Sequence, residues 1–219
     1  MVDHVPPPVR RICLTGAEST GKTTMCELLA RRHHTAWVHE YGRDHTVDKL
    51  RAGTNDHWTT EDFVFIARRQ IELENEAAAH ANRYLFCDTD ALATQLWHER
   101  YQGYMSPEVQ AIADTHHYDL YVLCDIDVAF EHDGVRFDPT ARPRMHARFV
   151  EELNLRSAAP MLRPSRDRRE PGGRASTEAQ RRSAAPVLRP EPWILVSGTL
   201  AERMDRIDAD LERRFGEGY

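Results

Sequence analysis

Long apolar runs are missing from this 219-residue chain: none approaches the roughly 20 residues that span a bilayer. A membrane role is therefore not expected. The opening MVDHVPPPVRR holds no apolar signal core, so residues 1–9 read as a short disordered tail and the protein is expected to be cytoplasmic. Cysteine is scarce, at four, and no CxxC spacing marks a zinc or redox site. Cys13, Cys87 and Cys124 fall in strand-like runs and Cys26 in a helical one, which predicts small buried hydrophobes. The 12 histidines form no ligand cluster, because the pairs His33-His34 and His116-His117 diverge on a helix. Lysine is almost absent: Lys22 and Lys49 stand alone among 29 Lys and Arg residues.

Charge is unevenly spread. The net charge of −6 conceals a basic stretch, 156–190, with nine Arg against Asp167, Glu170 and Glu178. The strongly acidic remainder argues against general nucleic-acid binding and suits a cationic small-molecule substrate. Within the basic stretch RSAAPMLRP (156–164) recurs as RSAAPVLRP (182–190) around an Arg-, Gly- and Pro-rich spacer. Two copies are too few for a solenoid and cannot bury a core, so a disordered insertion is expected, with a basic docking segment as the functional alternative.

The rest alternates strand and helix signals. RICLT, TAWVH, RYLFCDTD, DLYVLCDID and PWILVSG read as five strands, and the segments between them carry helical spacing. Thr60 is the expected cap of a long helix through Phe63, Ile66, Ala67 and Ile71. Leu200, Met204, Ile207, Leu211 and Phe215 mark one face of a closing helix. The polar VAFEHDGVRFDPTARPR reads as a mobile lid. A single α/β domain over 10–219 is expected: a five-stranded parallel sheet with helices on both faces and a lid.

GAESTGKTT, residues 16–24, lies between the first strand and a helix, and Gly16 to Thr23 satisfies GxxxxGK[ST]. Glycines let backbone N–H groups turn inward around phosphates, the following helix presents its positive end, and the lysine reaches the terminal phosphates. A chain that uses arginine nearly everywhere keeps lysine where a slim charge must enter such a cradle. A P-loop NTPase fold follows, with Gly16, Glu18, Ser19, Thr20, Gly21, Lys22, Thr23 and Thr24 expected around ATP and Thr23 expected on Mg²⁺.

Guanine recognition would need an NKxD element, and the sequence has none. A kinase needs a carboxylate near the acceptor hydroxyl, an acid that orients Mg²⁺, and arginines facing the transferring group. Glu40 and Asp88 lie past the ends of the second and third strands, the edge where open α/β sheets bind ligands. Asp88 is expected at the metal, and either acid at the acceptor. Asp90 reads equally as a substrate contact or a helix cap, and Asp125 and Asp127 as substrate contacts or turn residues. Arg136, Arg142 and Arg144 lie in the expected lid. Trp58, Trp97, Tyr101 and Tyr41 are the aromatic candidates for holding a ring, whereas Trp37 and Trp193 are expected in the core.

Taken in order, GAESTGKTT, EYGRD, W.TEDF..IA..Q, CDTDALATQLW, LCDIDV...DGVR and PWILVSG....R resemble the nicotinamide riboside kinase domain of NadR-type proteins, over about residues 10–155 and 192–215. The resemblance implies transfer of the γ-phosphate of ATP, with Mg²⁺, to the ribose 5′-hydroxyl of nicotinamide riboside in NAD salvage. It places Arg43 beside Glu40 and Tyr41 on the acceptor side. A pyridinium ring suits carboxylates near aromatic faces, each contact worth roughly 0.5–2 kcal/mol. With a first strand near residue 10, the resemblance does not extend to the DNA-binding and adenylyltransferase modules of the larger members. Two other readings stay open. A deoxynucleoside kinase would share the loop, the strand-end carboxylate and the lid; an ATP-hydrolysing regulatory switch acting through the basic insertion would need no acceptor.

Overall fold

Strands Arg10–Thr15 (β1), Trp37–Val38 (β2), Tyr84–Asp88 (β3), Leu120–Cys124 (β4) and Trp193–Val196 (β5) form one parallel sheet in the order β2-β3-β1-β4-β5. The computed structural model describes residues 8–54, 57–131, 139–158 and 192–216. Parallel neighbours need a crossover, and seven α-helices among the described residues provide the layers: Lys22–Arg32 (α1), Tyr41–Ala52 (α2), Thr60–Ala78 (α3), Ala91–Gln102 (α4), Pro107–Ala113 (α5), Arg142–Ala158 (α6) and Leu200–Phe215 (α7). The P-loop NTPase architecture read from the sequence is the one observed.

Side-chain alternation along each strand decides which layer it meets. Ile12, Leu14, Phe86 and Val122 face α1 and α7, where Met25, Leu29, Ile207 and Leu211 complete one core. Cys13, Leu85, Cys87 and Leu123 face the opposite way, against Leu92, Leu96, Phe149 and Leu153 of α4 and α6. All four cysteines are free and buried, and burial pushes the thiols of Cys13, Cys26, Cys87 and Cys124 up, the last to about 12. They are packing residues. Trp37 and Trp193 pack partly buried against the two cores. Among the described residues no helix is long and apolar enough to cross a membrane.

Four sequence expectations shift. The second strand shrinks to Trp37–Val38 at the sheet edge. Thr59, not Thr60, caps α3, because its hydroxyl accepts from the Asp62 N–H while Asp62 reaches back to the Thr59 N–H, a reciprocal pair that needs a three-residue offset. Arg142 and Arg144 belong to the first turn of α6 rather than to a lid, and α6 runs on to Ala158, taking the first three residues of the expected insertion. There Arg156 is buried and donates to Asp114 at 3.0 Å, which draws the helix past the point where composition alone ends it. Most of the tail (1–7), the centre of the lid with Arg136 (132–138) and the bulk of the insertion (159–191) lie outside the described residues.

The loop after β1 passes close under β4. Gly16 has φ +130, and a Cβ built there would stand 2.9 Å from the Cys124 carbonyl oxygen. Gly16→Ala is therefore expected to destabilise the protein by roughly 1–3 kcal/mol, from backbone strain alone, read as a lower urea midpoint at unchanged slope.

Candidate functional site

A phosphate loop that turns its N–H groups inward turns carbonyls outward, and these need donors. Lys22 Nζ donates to the Ala17 carbonyl at 2.7 Å, as does the Thr20 hydroxyl at 2.9 Å. Arg142 reaches the Ser19 carbonyl at 3.2 Å and the Val128 carbonyl at 3.1 Å. Burial lowers the pKa of this guanidinium from its ordinary value. Arg203, 2% exposed, donates to the carbonyls of Thr20 (3.0 Å), Gly198 (2.9 Å) and Asp125 (3.4 Å) and pairs with Asp127. The Ser19 hydroxyl meanwhile accepts from the Glu131 N–H at 2.7 Å, fastening the segment after β4 over the loop.

Beneath the loop, Gly21 caps α1 at φ 80, a left-handed value that suits glycine, and the first turn of the helix opens on the cleft. Thr23 donates to Asp88 Oδ2 at 2.5 Å, and Asp88, the last residue of β3, is 1% exposed. Threonine and aspartate oxygens are the hard donors Mg²⁺ accepts. Among the described residues no group of three or more His, Cys, Asp or Glu is gathered that could hold a metal ion.

Two cavities meet at Glu40. The larger, about 410 Å³, is lined by Ser19 to Met25 with Arg43, Val128, Leu200 and Arg203, and lies in the size range of nucleotide sites. The smaller, about 50 Å³, is walled by Trp58, Phe63, Trp97 and Tyr101 with Thr46, Gln70, Thr89 and Thr94. Trp58 and Tyr101 stack at 5.5 Å and 27°. Glu40 lines both cavities.

Of the residues chosen from sequence, the fold brings Ser19 to Thr24, Glu40, Arg43, Trp58, Trp97 and Tyr101 to these cavities. Gly16 and Glu18 are buried behind the loop. The Tyr41 ring turns away and packs on Phe65 at 5.9 Å. Asp90 caps α4, accepting from the Ala93 N–H at 2.9 Å and from the Tyr121 hydroxyl at 2.7 Å. Asp125 accepts from the Ile126 N–H and faces His146 at 3.8 Å. Burial pushes the Asp127 carboxyl upward, but the Gly198 N–H at 2.6 Å and the Arg203 charge outweigh it and hold it low. Arg142 braces the loop from behind, and Arg144 stands exposed on α6 away from both cavities.

The sequence pattern of the AAA domain family matches residues 11–171. The chain belongs to this family. It is 34% identical over 128 residues to the trifunctional NAD biosynthesis/regulator protein NadR of Escherichia coli K12, and 34% identical over 128 residues to that of Salmonella typhimurium LT2. Each alignment takes in 58% of this chain and 31% of the relative, so the chain spans about a third of the curated proteins it matches. In fold it is similar to NadR protein crystallised with NAD and AMP-PNP (TM-score 0.62, 16% identity, 97% of this chain and 51% of that one). It is also similar to NadR protein crystallised with NR (0.60, 19%, 94% and 51%). A deoxyadenosine kinase from M. mycoides shares the fold at TM-score 0.57 and 8% identity, covering 93% of this chain and 99% of that one. The chain is thus a NadR-like P-loop domain that binds nucleotide.

Sequence reasoning missed Arg203, Gln70 and Thr89. Arg203 closes the PWILVSG....R pattern, yet its role shows only once α7 lies against the loop. Thr89 carries φ 63, a costly value for a β-branched residue, and lines the smaller cavity.

Removing Arg203 leaves the buried Thr20 carbonyl and the part-buried carbonyls of Gly198 and Asp125 without this donor. Arg203→Ala is expected to cost about 3 kcal/mol in urea unfolding and to weaken ATP binding in calorimetry; unchanged values for both would show the clamp to be dispensable. Burial raises the Asp90 carboxyl to about 6, against the Tyr121 and Ala93 hydrogen bonds that pull it down. Between its unfolded value near 3.9 and this one the folded state holds the extra proton, so stability due to Asp90 falls as pH rises. Asn caps equally well. The wild-type unfolding free energy minus that of Asp90→Asn should decline from about pH 4 to 6 and level off above 7.

Proposed function

We propose that the protein phosphorylates the ribose 5′-hydroxyl of nicotinamide riboside with ATP, giving nicotinamide mononucleotide. The observation that carries this reading is Glu40, which lines both the phosphate-loop cavity and the aromatic cavity. A nucleoside seated with its ring among Trp58, Trp97 and Tyr101 would present its 5′-hydroxyl at that junction. The similarity to NadR proteins, one crystallised with NR, points to nicotinamide as the ring. Its fixed positive charge suits aromatic faces beside an acid. At about 50 Å³ the aromatic cavity is smaller than a nucleoside, and α2, which contributes no fully buried residue, is the wall that would swing to admit one.

Lys22 and the loop N–H groups would hold the β and γ phosphates of ATP. Thr23 and Asp88 would hold Mg²⁺, which neutralises phosphate charge when bound. Glu40 would orient the 5′-hydroxyl and take its proton as the oxygen attacks the γ-phosphorus and the bond to ADP breaks. Arg43, on the cavity wall, is the cation nearest in sequence to that acid and would face the transferring group.

The test is ADP release from ATP and Mg²⁺ with nicotinamide riboside, thymidine, deoxycytidine or no acceptor. Turnover is expected with nicotinamide riboside, abolished in Lys22→Ala, and reduced at least about 100-fold in kcat by Glu40→Gln. Equal ADP release without any acceptor would replace this reading with the ATP-hydrolysing switch, and preference for thymidine or deoxycytidine with the deoxynucleoside kinase.

A further inference from the structure

One aromatic wall of the smaller cavity, Trp58, already carries a cation: Lys49 Nζ lies 5.1 Å from the centre of its ring. Lys49 belongs to α2 and is not among the residues that line the cavity. Its ammonium donates to Asp62 Oδ2, in the first turn of α3, at 2.9 Å, and the two side chains are only 13% and 17% exposed. His45, one turn before Lys49, reaches the other Asp62 oxygen at 3.0 Å, and its ring stands 6.0 Å from that of Trp58. Burial pushes the Asp62 carboxyl up, yet hydrogen bonds from Lys49, the Thr59 N–H and His45 outweigh it and bring it to about 2. At neutral pH a fully charged pair therefore rests against Trp58, half hidden from the water that would screen it.

An ammonium over an aromatic ring draws on the negative face of that ring and repels a second positive charge brought to it. A carboxylate bonded to the ammonium cancels most of its field. We propose that the Lys49–Asp62 pair sets the charge preference of the aromatic cavity: Lys49 alone would keep a cationic ring off Trp58, and Asp62 is the counter-charge that admits one. Both act as specificity determinants through Trp58, without touching the ligand. The preference presupposes a ring seated among Trp58, Trp97 and Tyr101, as proposed above.

Removing either partner breaks the same bond between α2 and α3, but the two removals leave opposite charges behind. The test is calorimetry at low salt with nicotinamide riboside, whose ring is cationic, and with its neutral 1,4-dihydro form. Lys49→Met keeps the length of the lysine stem, and Asp62→Asn still offers the Thr59 N–H an acceptor, so the start of α3 is preserved. The ratio of the two affinities should move about threefold or more toward the cationic ring in Lys49→Met, and as far toward the neutral ring in Asp62→Asn, as one unit charge within about 10 Å gives in a partly wet site. Lys49→Gln and Asp62→Ser remove the same charges with other side chains and should repeat these shifts. The double variant Lys49→Met with Asp62→Asn has lost the bond but gained no net charge, so its ratio should return to the wild-type value.

Single variants that move the ratio in one common direction, or leave it unmoved, while still melting cooperatively would overturn the proposal, because a role confined to fastening α2 cannot change sign with the charge removed. A double variant shifted as far as either single one would overturn it too. If the wild type binds neither nucleoside, the ring has no seat here and the inference falls with the acceptor proposed above. Opposite shifts in a protein that releases no ADP with nicotinamide riboside would uphold the charge preference and overturn the kinase reading alone.

Discussion

A loop that wraps an anion must face its amides one way, and the carbonyls it thereby turns outward are the debt the rest of this fold settles. Lys22 and Thr20 satisfy Ala17 from within the loop. The other donors come from far along the chain: Arg142 from α6 reaches Ser19, and Arg203 from α7 reaches Thr20. Both arginines are buried, and guanidinium suits the task because its several N–H groups bridge separate carbonyls at fixed angles. Lysine is kept for the inside of the loop, arginine for its outside.

The side that holds the aromatic cavity is organised on another basis. It hangs on α2, which contributes no fully buried residue and is held to α3 by polar contacts. Lys49 and His45 both reach Asp62, at 2.9 and 3.0 Å, and Lys49 also lies over the Trp58 ring at 5.1 Å. Burial presses the Asp62 carboxyl upward, but its hydrogen bonds from Lys49, the Thr59 N–H and His45 outweigh this and bring it to about 2. The second lysine of the chain therefore serves the clasp between the two helices that frame the aromatic cavity. A braced loop faces an aromatic side fastened by a few hydrogen bonds, a division that lets one side open without loosening the other.

Much of this could be read in the sequence because the relevant signals are local. The GxxxxGK[ST] spacing, the strand-end acids Glu40 and Asp88, and the hydrophobic alternation around Cys13 and Cys87 are each short-range patterns whose structural outcome is narrow. What stayed hidden depends on partners distant in sequence. Arg203 looks like one more surface arginine until its carbonyls are placed, and Arg142 resembles a lid residue until α6 starts beneath it. Asp90 could be reduced to two roles, since a cap and a ligand both sit at a strand-to-helix turn; the Tyr121 hydroxyl, 31 positions away, is what occupies its second oxygen.

The Arg203 contacts also bear on the order in which the protein comes into being. During synthesis the loop leaves the ribosome ahead of its outer brace, which belongs to a helix that follows β5 in the chain, 183 positions later. A nascent chain thus carries the motif well before it carries the finished cradle, and the contact that completes the nucleotide site also reports that the last strand has arrived.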